Sequence, residues 1–215
     1  MPARSPIDSI VATTKGDDGT TGLLYGGSRI AKDDARAEAY GTVDEAVAAL
    51  GLARANLGAK RRIGTLPANL GGLGDLILRL QRELFVVGAE LATNPDAWDR
   101  LEDGRTRVSK PMLEELEGIL VELERAIEMP REFVVPGETP TSAALEVART
   151  VIRRAERRAV TLRAAGLVPG EHLVPYLNRL ADLVWVLARA AEQAESRSAT
   201  PARRPAAGGR REHAP

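Results

Sequence analysis

The sequence predicts an all-α protein built as a single five-helix bundle. Aromatic residues are only 3% of the 215 residues, and alanine and leucine dominate the apolar ones, so helix packing should form the core. Apolar residues recur at spacings of three and four, most clearly from Leu145 to Leu162, which is the period of one helix face. Stretches rich in glycine and proline divide the chain into five such segments.

The helices are expected over residues 33–57, 70–91, 109–128, 141–165 and 171–195. Asp33 is the expected N-cap of the first helix and Ser109 that of the third, where Pro111 suits the first turn. Pro175 lies in the first turn of the fifth helix, where its missing N–H costs little. Three of the five helices therefore have a start signal in the sequence itself.

The last two helices carry the clearest buried faces. The fourth helix places six small or apolar residues on one side, and the fifth places five: Leu145, Ala148, Ile152, Ala155, Ala159 and Leu162, then Leu173, Leu177, Leu180, Val184 and Leu187. Such stripes are typical of the contact face of a bundle. We expect both helices to pack in the centre of the fold.

Three regions are expected along the chain. Residues 1–10 form a short flexible N-terminus, residues 11–195 form the domain, and residues 196–215 form a basic tail. The tail has almost nothing to bury, which predicts disorder. The domain begins with a glycine-rich loop over residues 11–32.

Composition excludes several kinds of protein. The net charge is zero and the chain has no cysteine, so the sequence favours neither nucleic acid nor a membrane surface as partner, and it allows no disulfide or thiolate site. No apolar run approaches the ~18 residues of a membrane span, and the first ten residues lack the apolar core of a signal peptide. We expect a cytoplasmic protein that binds neither nucleic acid nor membrane.

The glycine-rich loop is the first candidate site. It combines glycines, hydroxyls and an ammonium in a short span: Thr13, Thr14, Lys15, Gly16, Asp17, Gly19, Thr20, Thr21 and Gly22. Glycines let a backbone fold closely round an anion, and successive N–H groups form a nest for it. The pattern is neither a Walker loop nor an EF-hand. A polyphosphate cradle and an ordinary surface turn both remain open from the loop alone.

A charged stripe on the fourth helix is the second candidate. Arg149, Arg153 and Glu156 follow the i, i+4, i+7 pattern and share one face. Two guanidiniums one turn apart suit a triphosphate, because each presents a planar fork of donors. Glu156 would orient one arginine or contact a ribose. A solvated face joined by i,i+4 ion pairs is the simpler alternative.

A third stripe lies on the fifth helix. Asn178, Asp182, Trp185 and Arg189 recur at spacings of four, three and four, which suggests a polar groove beside the leucine face. The alternative is an amphipathic helix whose tryptophan packs at the bundle edge. Asp44 on the first helix would either pair with an arginine of the fourth helix or face water.

Other chemistries find no support. His172 and His213 stand in no metal-ligand pattern, so no metal-binding residues are predicted. No Ser-His-Asp arrangement and no obvious nucleophile are present. A basic, hydroxyl-rich anion site without a nucleophile suits a protein that positions its reagents.

Five stretches together resemble the PduO-type ATP:cob(I)alamin adenosyltransferases, or corrinoid adenosyltransferases. They are "TKGDDGTTGL", "GSRIAKDDARAEAYGTVDEAVAALGLARA", "FVVPG", "ARTVIRRAERR" and "YLNRLADLVWVLAR", in the family's order from Val11 to Arg189. The resemblance implies a ferritin-like, cobalamin adenosyltransferase-like five-helix bundle. It also implies a homotrimer with ATP between subunits, and transfer of the 5′-deoxyadenosyl group of ATP to the cobalt of cob(I)alamin with release of triphosphate.

The resemblance also implies roles for single residues. Thr13, Thr14, Lys15, Gly16, Thr21 and Gly22 would wrap the nucleotide, and Lys32 would reach its phosphates. Arg153, Arg154, Glu156 and Arg157 match the family's ATP segment, and Asn178 matches the asparagine of "YLNR". Arg149 would pair with Asp44 across the subunit interface, so that Arg149, Arg153, Glu156 and Asp44 form the catalytic set.

On the corrin side, Phe133 falls where the family places an aromatic against the lower face of the corrin. It would displace the lower base and leave a four-coordinate cobalt. Mg²⁺ would accompany the triphosphate through phosphate oxygens and water. The chain departs from the family at Lys15, one place later than usual, and at Glu146, which stands where a histidine is common.

Two other functions remain open. A catalytically weak carrier would bind ATP or cobalamin with the same fold and deliver the cofactor to an adenosylcobalamin-dependent mutase, the expected partner in either case. A purely structural bundle would show no nucleotide effect on stability. The full set of Arg149, Arg153, Glu156 and Asp44 favours the enzyme, because a carrier needs no clamp on the leaving group.

Overall fold

The computed structural model describes residue 9 and residues 11–57, 66–67 and 70–203. Its α-helices are α1 (Ala35–Asn56), α2 (Leu73–Ala92), α3 (Lys110–Ala126), α4 (Pro140–Ala164) and α5 (Leu173–Ala194). Two-residue strands form two antiparallel pairs, β1 (Thr20–Thr21) with β2 (Ile30–Ala31) and β3 (Val134–Val135) with β4 (Thr200–Pro201). The prediction of an all-α protein with five helices is confirmed over these residues.

The hydrophobic core is formed where α4 and α5 pack against each other and against the remaining helices. α4 packs against α1 and α5, α1 packs against α2, and α3 packs against α5. All eleven residues predicted to line the contact faces of α4 and α5 are at most 2% exposed. Burial on α5 extends well beyond its leucine face and includes Arg189 and Glu192, so α5 is the central helix.

The helix ends differ from their predictions by up to three residues, and three starts show the reasons. Asp34, not Asp33, caps α1, since its Oδ1 accepts the Arg36 N–H at 2.8 Å. α4 begins at Pro140 and not at Thr141, because Thr139 forms a capping box with Ser142. α2 begins at Leu73, after a glycine pair whose first member, Gly71, has a φ of +71°. A 3-10 helix over Pro95–Arg100 was not predicted.

A buried carboxylate fastens two connectors to α2. Glu90 is 1% exposed and accepts the backbone N–H of Val108 at 2.7 Å and of Gly170 at 3.0 Å. Burial raises the pKa of the Glu90 carboxyl, and these two donors oppose that shift only in part. Glu90 therefore holds the segment before α3 and the segment before α5 against the same point.

The C-terminal segment is ordered where disorder was predicted. Val134 pairs with Pro201, Val135 pairs with Thr200, and the Ala202 N–H donates to the Phe133 carbonyl at 2.7 Å. The prediction of disorder is therefore wrong for residues 196–203. It rested on composition, which does not register backbone pairing. Residues 204–215, like residues 1–8, residue 10 and most of the break predicted after α1, lie outside the described residues.

None of the helices within the described ranges combines the length and the apolar character needed to cross a membrane.

Candidate nucleotide and corrinoid site

The glycine-rich loop forms a tight hairpin just before α1. Within it the Asp17 N–H donates to the Thr14 carbonyl at 3.2 Å, and the Gly19 N–H donates to the Gly16 carbonyl at 3.1 Å. Gly19 has a φ of +78°, a conformation that glycine adopts without the clash a side chain would bring. β1 then pairs with β2 and closes the hairpin. The loop thus has a defined hydrogen-bonded structure.

Asp18 stabilises the turn from inside. Its Oδ1 accepts the Thr20 N–H at 2.9 Å and the Thr20 hydroxyl at 2.8 Å. These hydrogen bonds hold the pKa of the Asp18 carboxyl below its usual range. The hydroxyl of Thr20 is therefore engaged within the loop.

Arg29 joins the two sides of the hairpin, and the sequence reasoning missed it. Its Nη2 donates to the Lys15 carbonyl at 2.7 Å and to the Thr20 carbonyl at 2.9 Å, while its Nε donates to the Thr20 hydroxyl at 2.6 Å. One guanidinium thus fixes three acceptors of the loop. The arginine lies in the "GSRI" motif, but only the fold shows that it reaches back across the hairpin.

Lys32 lies against the loop, and its contact with phosphate stays a prediction. A Cβ atom on Gly16 would sit 2.9 Å from Lys32 Nζ, and the Lys32 N–H donates to the Gly19 carbonyl at 2.9 Å. The lack of a side chain at Gly16 therefore leaves room for the ammonium. Lys15 is itself exposed, so two lysines border the hairpin.

Four other loop residues were predicted to bind the nucleotide, and their roles stay predictions. Thr13 and Gly22 are exposed, and Thr21 is half-buried in β1. Thr14 has a φ of +59°, an uncommon conformation for a residue with a branched side chain. Strain of this kind clusters at binding sites.

The arginines of α4 face α1 as well as solvent. Arg154 pairs with Glu45, and Arg158 pairs with Glu38. Because the later arginine pairs with the earlier glutamate, α1 and α4 run antiparallel. The start of α1, which the loop precedes, therefore lies at the same end of the bundle as the C-terminus of α4.

Arg153 and Arg157 remain on the outer face. Both are exposed, and Arg157 Nη1 donates to the Arg153 carbonyl at 3.0 Å. Asp44 on α1 is exposed as well. Their side chains are placed where a ligand or a second subunit has access.

Glu156 and Asn178 form a direct link between α4 and α5. Asn178 Nδ2 donates to Glu156 Oε1 at 3.0 Å, and Asn178 Oδ1 accepts from Arg179 Nη1 at 2.7 Å. Arg179 Nε in turn donates to Glu117 Oε1 of α3 at 3.1 Å. The structure thus brings together two residues that the sequence placed at the same nucleotide site.

Arg149 forms an ion pair with the buried carboxylate of Glu146. Its Nε donates to Glu146 Oε2 at 2.6 Å, and the two side chains are 26% and 5% exposed. Its pairing with Asp44 across subunits stays a prediction. Along the predicted polar stripe of α5, Arg189 is only 1% exposed, whereas Asp182 is exposed and Trp185 is half-buried.

Phe133 projects from the connector between α3 and α4. It is 90% exposed, a high value for a phenylalanine, and its carbonyl accepts the Ala202 N–H at 2.7 Å. The segment that carries this aromatic ring is therefore attached to the C-terminal strand β4. The sequence reasoning identified the aromatic but not its attachment.

Within one chain the site forms two separate groups. The loop bonds within itself and, through Leu24, to Ala92 and Asn94 at the end of α2. Arg154 and Arg158 instead pair with α1. Arg149 lies nine residues before Arg158, or about 13 Å along the helix axis. Among the described residues no group of three or more His, Asp and Glu side chains is arranged to hold a metal ion.

Comparison with known proteins identifies the family. The sequence model described as cobalamin adenosyltransferase matches residues 11–191. A corrinoid adenosyltransferase of Citrobacter freundii is 39% identical over 189 residues, covering 85% of this chain and 94% of that protein. One of Mycobacterium tuberculosis is also 39% identical, over 188 residues, covering 84% and 88%.

Solved structures agree with this match. A variant PduO-type ATP:corrinoid adenosyltransferase from Lactobacillus reuteri, complexed with cobalamin and ATP, superposes with a TM-score of 0.76 at 28% identity and covers 89% of this chain and 98% of its own. A second variant from that organism, complexed with ATP, gives a TM-score of 0.74 at 26% identity, covering 90% and 100%. This chain belongs to the cobalamin adenosyltransferase family.

Proposed function

We propose that this protein transfers the 5′-deoxyadenosyl group of ATP to the cobalt of cob(I)alamin, forming adenosylcobalamin and triphosphate. The observation that carries the proposal is the similarity to a protein solved with cobalamin and ATP, at a TM-score of 0.76 over 89% of this chain. The family match covers the loop, the arginine face of α4 and Asn178 together.

The reaction requires no covalent bond between the protein and its substrates. The lone pair on Co(I) attacks the ribose C5′, a cobalt–carbon bond forms, and the bond from C5′ to the triphosphate oxygen breaks with its electron pair. Cob(I)alamin is itself the nucleophile, which agrees with a site that has none. The protein aligns C5′ with cobalt and stabilises the negative charge on the leaving group.

The loop supplies the first part of the triphosphate site. Its turn is held by Arg29, which donates to the Lys15 and Thr20 carbonyls. These bonds reduce the entropy cost of ordering the loop when the nucleotide binds. Lys32, whose ammonium lies against Gly16, contacts the phosphates. Lys15, Thr13, Thr14, Thr21 and Gly22 complete the wrap.

The arginine face of α4 supplies the second part. Arg153, Arg154 and Arg157 bind phosphate oxygens, and Arg149 adds charge during bond breaking. Glu156, oriented by Asn178 at 3.0 Å, contacts the ribose. Arginine suits these roles because its planar fork binds two oxygens at once.

The two parts come from neighbouring subunits of a homotrimer. Arg149 lies about 13 Å along the α4 axis from Arg158, the arginine that pairs with Glu38 at the start of α1 in the same chain. A nucleotide bound between subunits contacts the loop of one chain and Arg149 of the neighbouring chain. Arg149 then pairs with Asp44 across the interface. Exposure of Asp44 and Arg153 is consistent with this arrangement.

The corrin side relies on Phe133. A ring that is 90% exposed offers a flat apolar face to the lower side of the corrin, where it displaces the lower base. Mg²⁺ enters with ATP, bound by phosphate oxygens and water, since the described residues provide no cluster of carboxylates for it.

An anaerobic assay tests the proposal. The protein is mixed with Mg-ATP and chemically reduced cob(I)alamin, and absorbance follows formation of the cobalt–carbon bond while triphosphate is quantified. One triphosphate per adenosylcobalamin, dependent on protein, is the expected result. Binding of ATP or corrinoid without product would favour the carrier, and no binding of either would refute both.

A further inference from the structure

An ionic network joins Arg149 to three buried side chains, Glu146, Arg189 and Glu192. Each oxygen of the Glu146 carboxylate meets one arginine: Oε2 accepts from Arg149 Nε at 2.6 Å, and Oε1 lies 3.3 Å from Arg189 Nη1. Arg189 Nη2 donates to Glu192 Oε1 at 2.8 Å. Glu146, Arg189 and Glu192 are 4%, 1% and 1% exposed.

The network balances its own charge. Two carboxylates face two guanidiniums, and a buried charge without its partner is strongly unfavourable. Among the described residues, Arg189 Nε and Nη1 find no hydrogen-bond acceptor, so Arg189 depends on the two carboxylates beside it. Glu146 contacts both arginines, and it links the buried Arg189 to the partly exposed Arg149.

The contact with Glu146 restricts how Arg149 can point. A free arginine side chain samples many rotamers, but a hydrogen bond from Nε fixes the plane of the guanidinium. The bond uses one of five N–H donors and leaves four on Nη1 and Nη2 for other groups. Glu146 itself cannot turn away, since Arg189 engages its other oxygen.

We propose that Glu146 is a positioning residue for Arg149, which it orients toward the triphosphate of ATP. The inference rests on the proposed function for the role of Arg149. The orienting group is a carboxylate that is itself only 4% exposed. Glu146 acts through Arg149 and does not touch the substrate.

Glu192 offers a matched control. Glu146→Gln and Glu192→Gln each remove one negative charge beside Arg189, at equally buried positions, but only Glu146 contacts Arg149. We expect E146Q to lower kcat by about 10- to 100-fold, the size typical of a misplaced catalytic group. E192Q is expected to retain kcat within about 3-fold while losing similar thermal stability.

Affinity for ATP provides a readout apart from turnover. Calorimetric titration of corrinoid-free protein with Mg-ATP should show weaker binding for E146Q than for E192Q. If the unmodified protein made no adenosylcobalamin, the proposed function would fail, yet this comparison would still report on Glu146. If turnover were normal but the two variants matched in kcat and in affinity, the positioning role would be refuted.

A double-mutant cycle separates action through Arg149 from a general loss of stability. Glu146→Gln should cost little further activity once Arg149 is already alanine, because the group it orients is gone. Full additivity of the two losses would overturn the proposal. Glu146→Asp, which keeps the charge but shortens the reach, replaces E146Q in the cycle and in the titration should E146Q not fold.

Discussion

Replacement of Arg153 by alanine should abolish most activity without harming the fold. Arg153 is exposed on α4, and alanine is the best helix former, so we expect a stability change within about 0.5 kcal/mol. In a domain of this size that shifts Tm by no more than roughly 2 °C.

The effect on catalysis follows from the bonds lost. A hydrogen bond to a charged group contributes about 1.5–3 kcal/mol, and a bidentate contact with the triphosphate contains two. If both strengthen as negative charge develops, their loss raises the barrier by about 3–6 kcal/mol, or 10²–10⁴-fold in kcat.

The assay is the anaerobic formation of adenosylcobalamin at saturating Mg-ATP, with melting curves run in parallel. Arg82→Ala is the matched control, because Arg82 is also an exposed arginine in a helix, α2, and belongs to no part of the proposed site. Its kcat should stay at the level of the unmodified protein. A kcat for Arg153→Ala within about 3-fold of that of Arg82→Ala would refute the assigned role.

Three further predictions concern the supporting structure. Glu90→Gln should remove a pH dependence of stability: the folded pKa of Glu90 is raised above the ordinary 4.5, so its contribution is full below pH 4.5 and is lost as pH rises through the folded pKa. Denaturant melts at several pH values test this, and parallel curves for the two proteins would contradict it. Deletion of residues 199–215 removes β4 and should weaken cob(II)alamin binding at Phe133 by about tenfold, or 1.4 kcal/mol, with ATP affinity unchanged. Deletion of residues 204–215, which keeps β4, is the control, and equal effects of both deletions would argue against a role for the strand. Arg29→Ala should raise the Kd for ATP by about 10-fold or more, since the three loop hydrogen bonds it makes then have to be replaced on binding; an unchanged Kd in calorimetry would show that the loop needs no such support.

Local sequence determined the helices and the faces that they bury. The stripe from Leu145 to Leu162 on α4 and the leucines of α5 are apolar at helical spacing, and every one of them is buried. Periodicity succeeds here because a helix brings residues three and four apart onto one face whatever surrounds it. The exact ends were harder, since Asp34 and not Asp33 makes the capping bond, and neighbouring residues of equal capping propensity are distinguished only by the final backbone.

Motifs in the sequence also named residues that the fold brings together, since Lys32 lies beside Gly16 and Asn178 beside Glu156. What they left out depends on contacts between distant parts of the chain. Arg29 reaches back across the hairpin to Lys15, and β4 pairs with the segment of Phe133. No local period or composition marks such contacts.

Burial of charge was likewise decided by the tertiary structure. Arg189 belongs to a polar stripe in the sequence, yet α5 is enclosed by its neighbours and the guanidinium is 1% exposed. It is tolerated there because Glu146 and Glu192 approach it from two helices, and pairing offsets much of the cost of removing charge from water. The sequence by itself determined which residues form helices and which carry charge; only packing decided which charges meet inside, because that depends on the arrangement of whole helices.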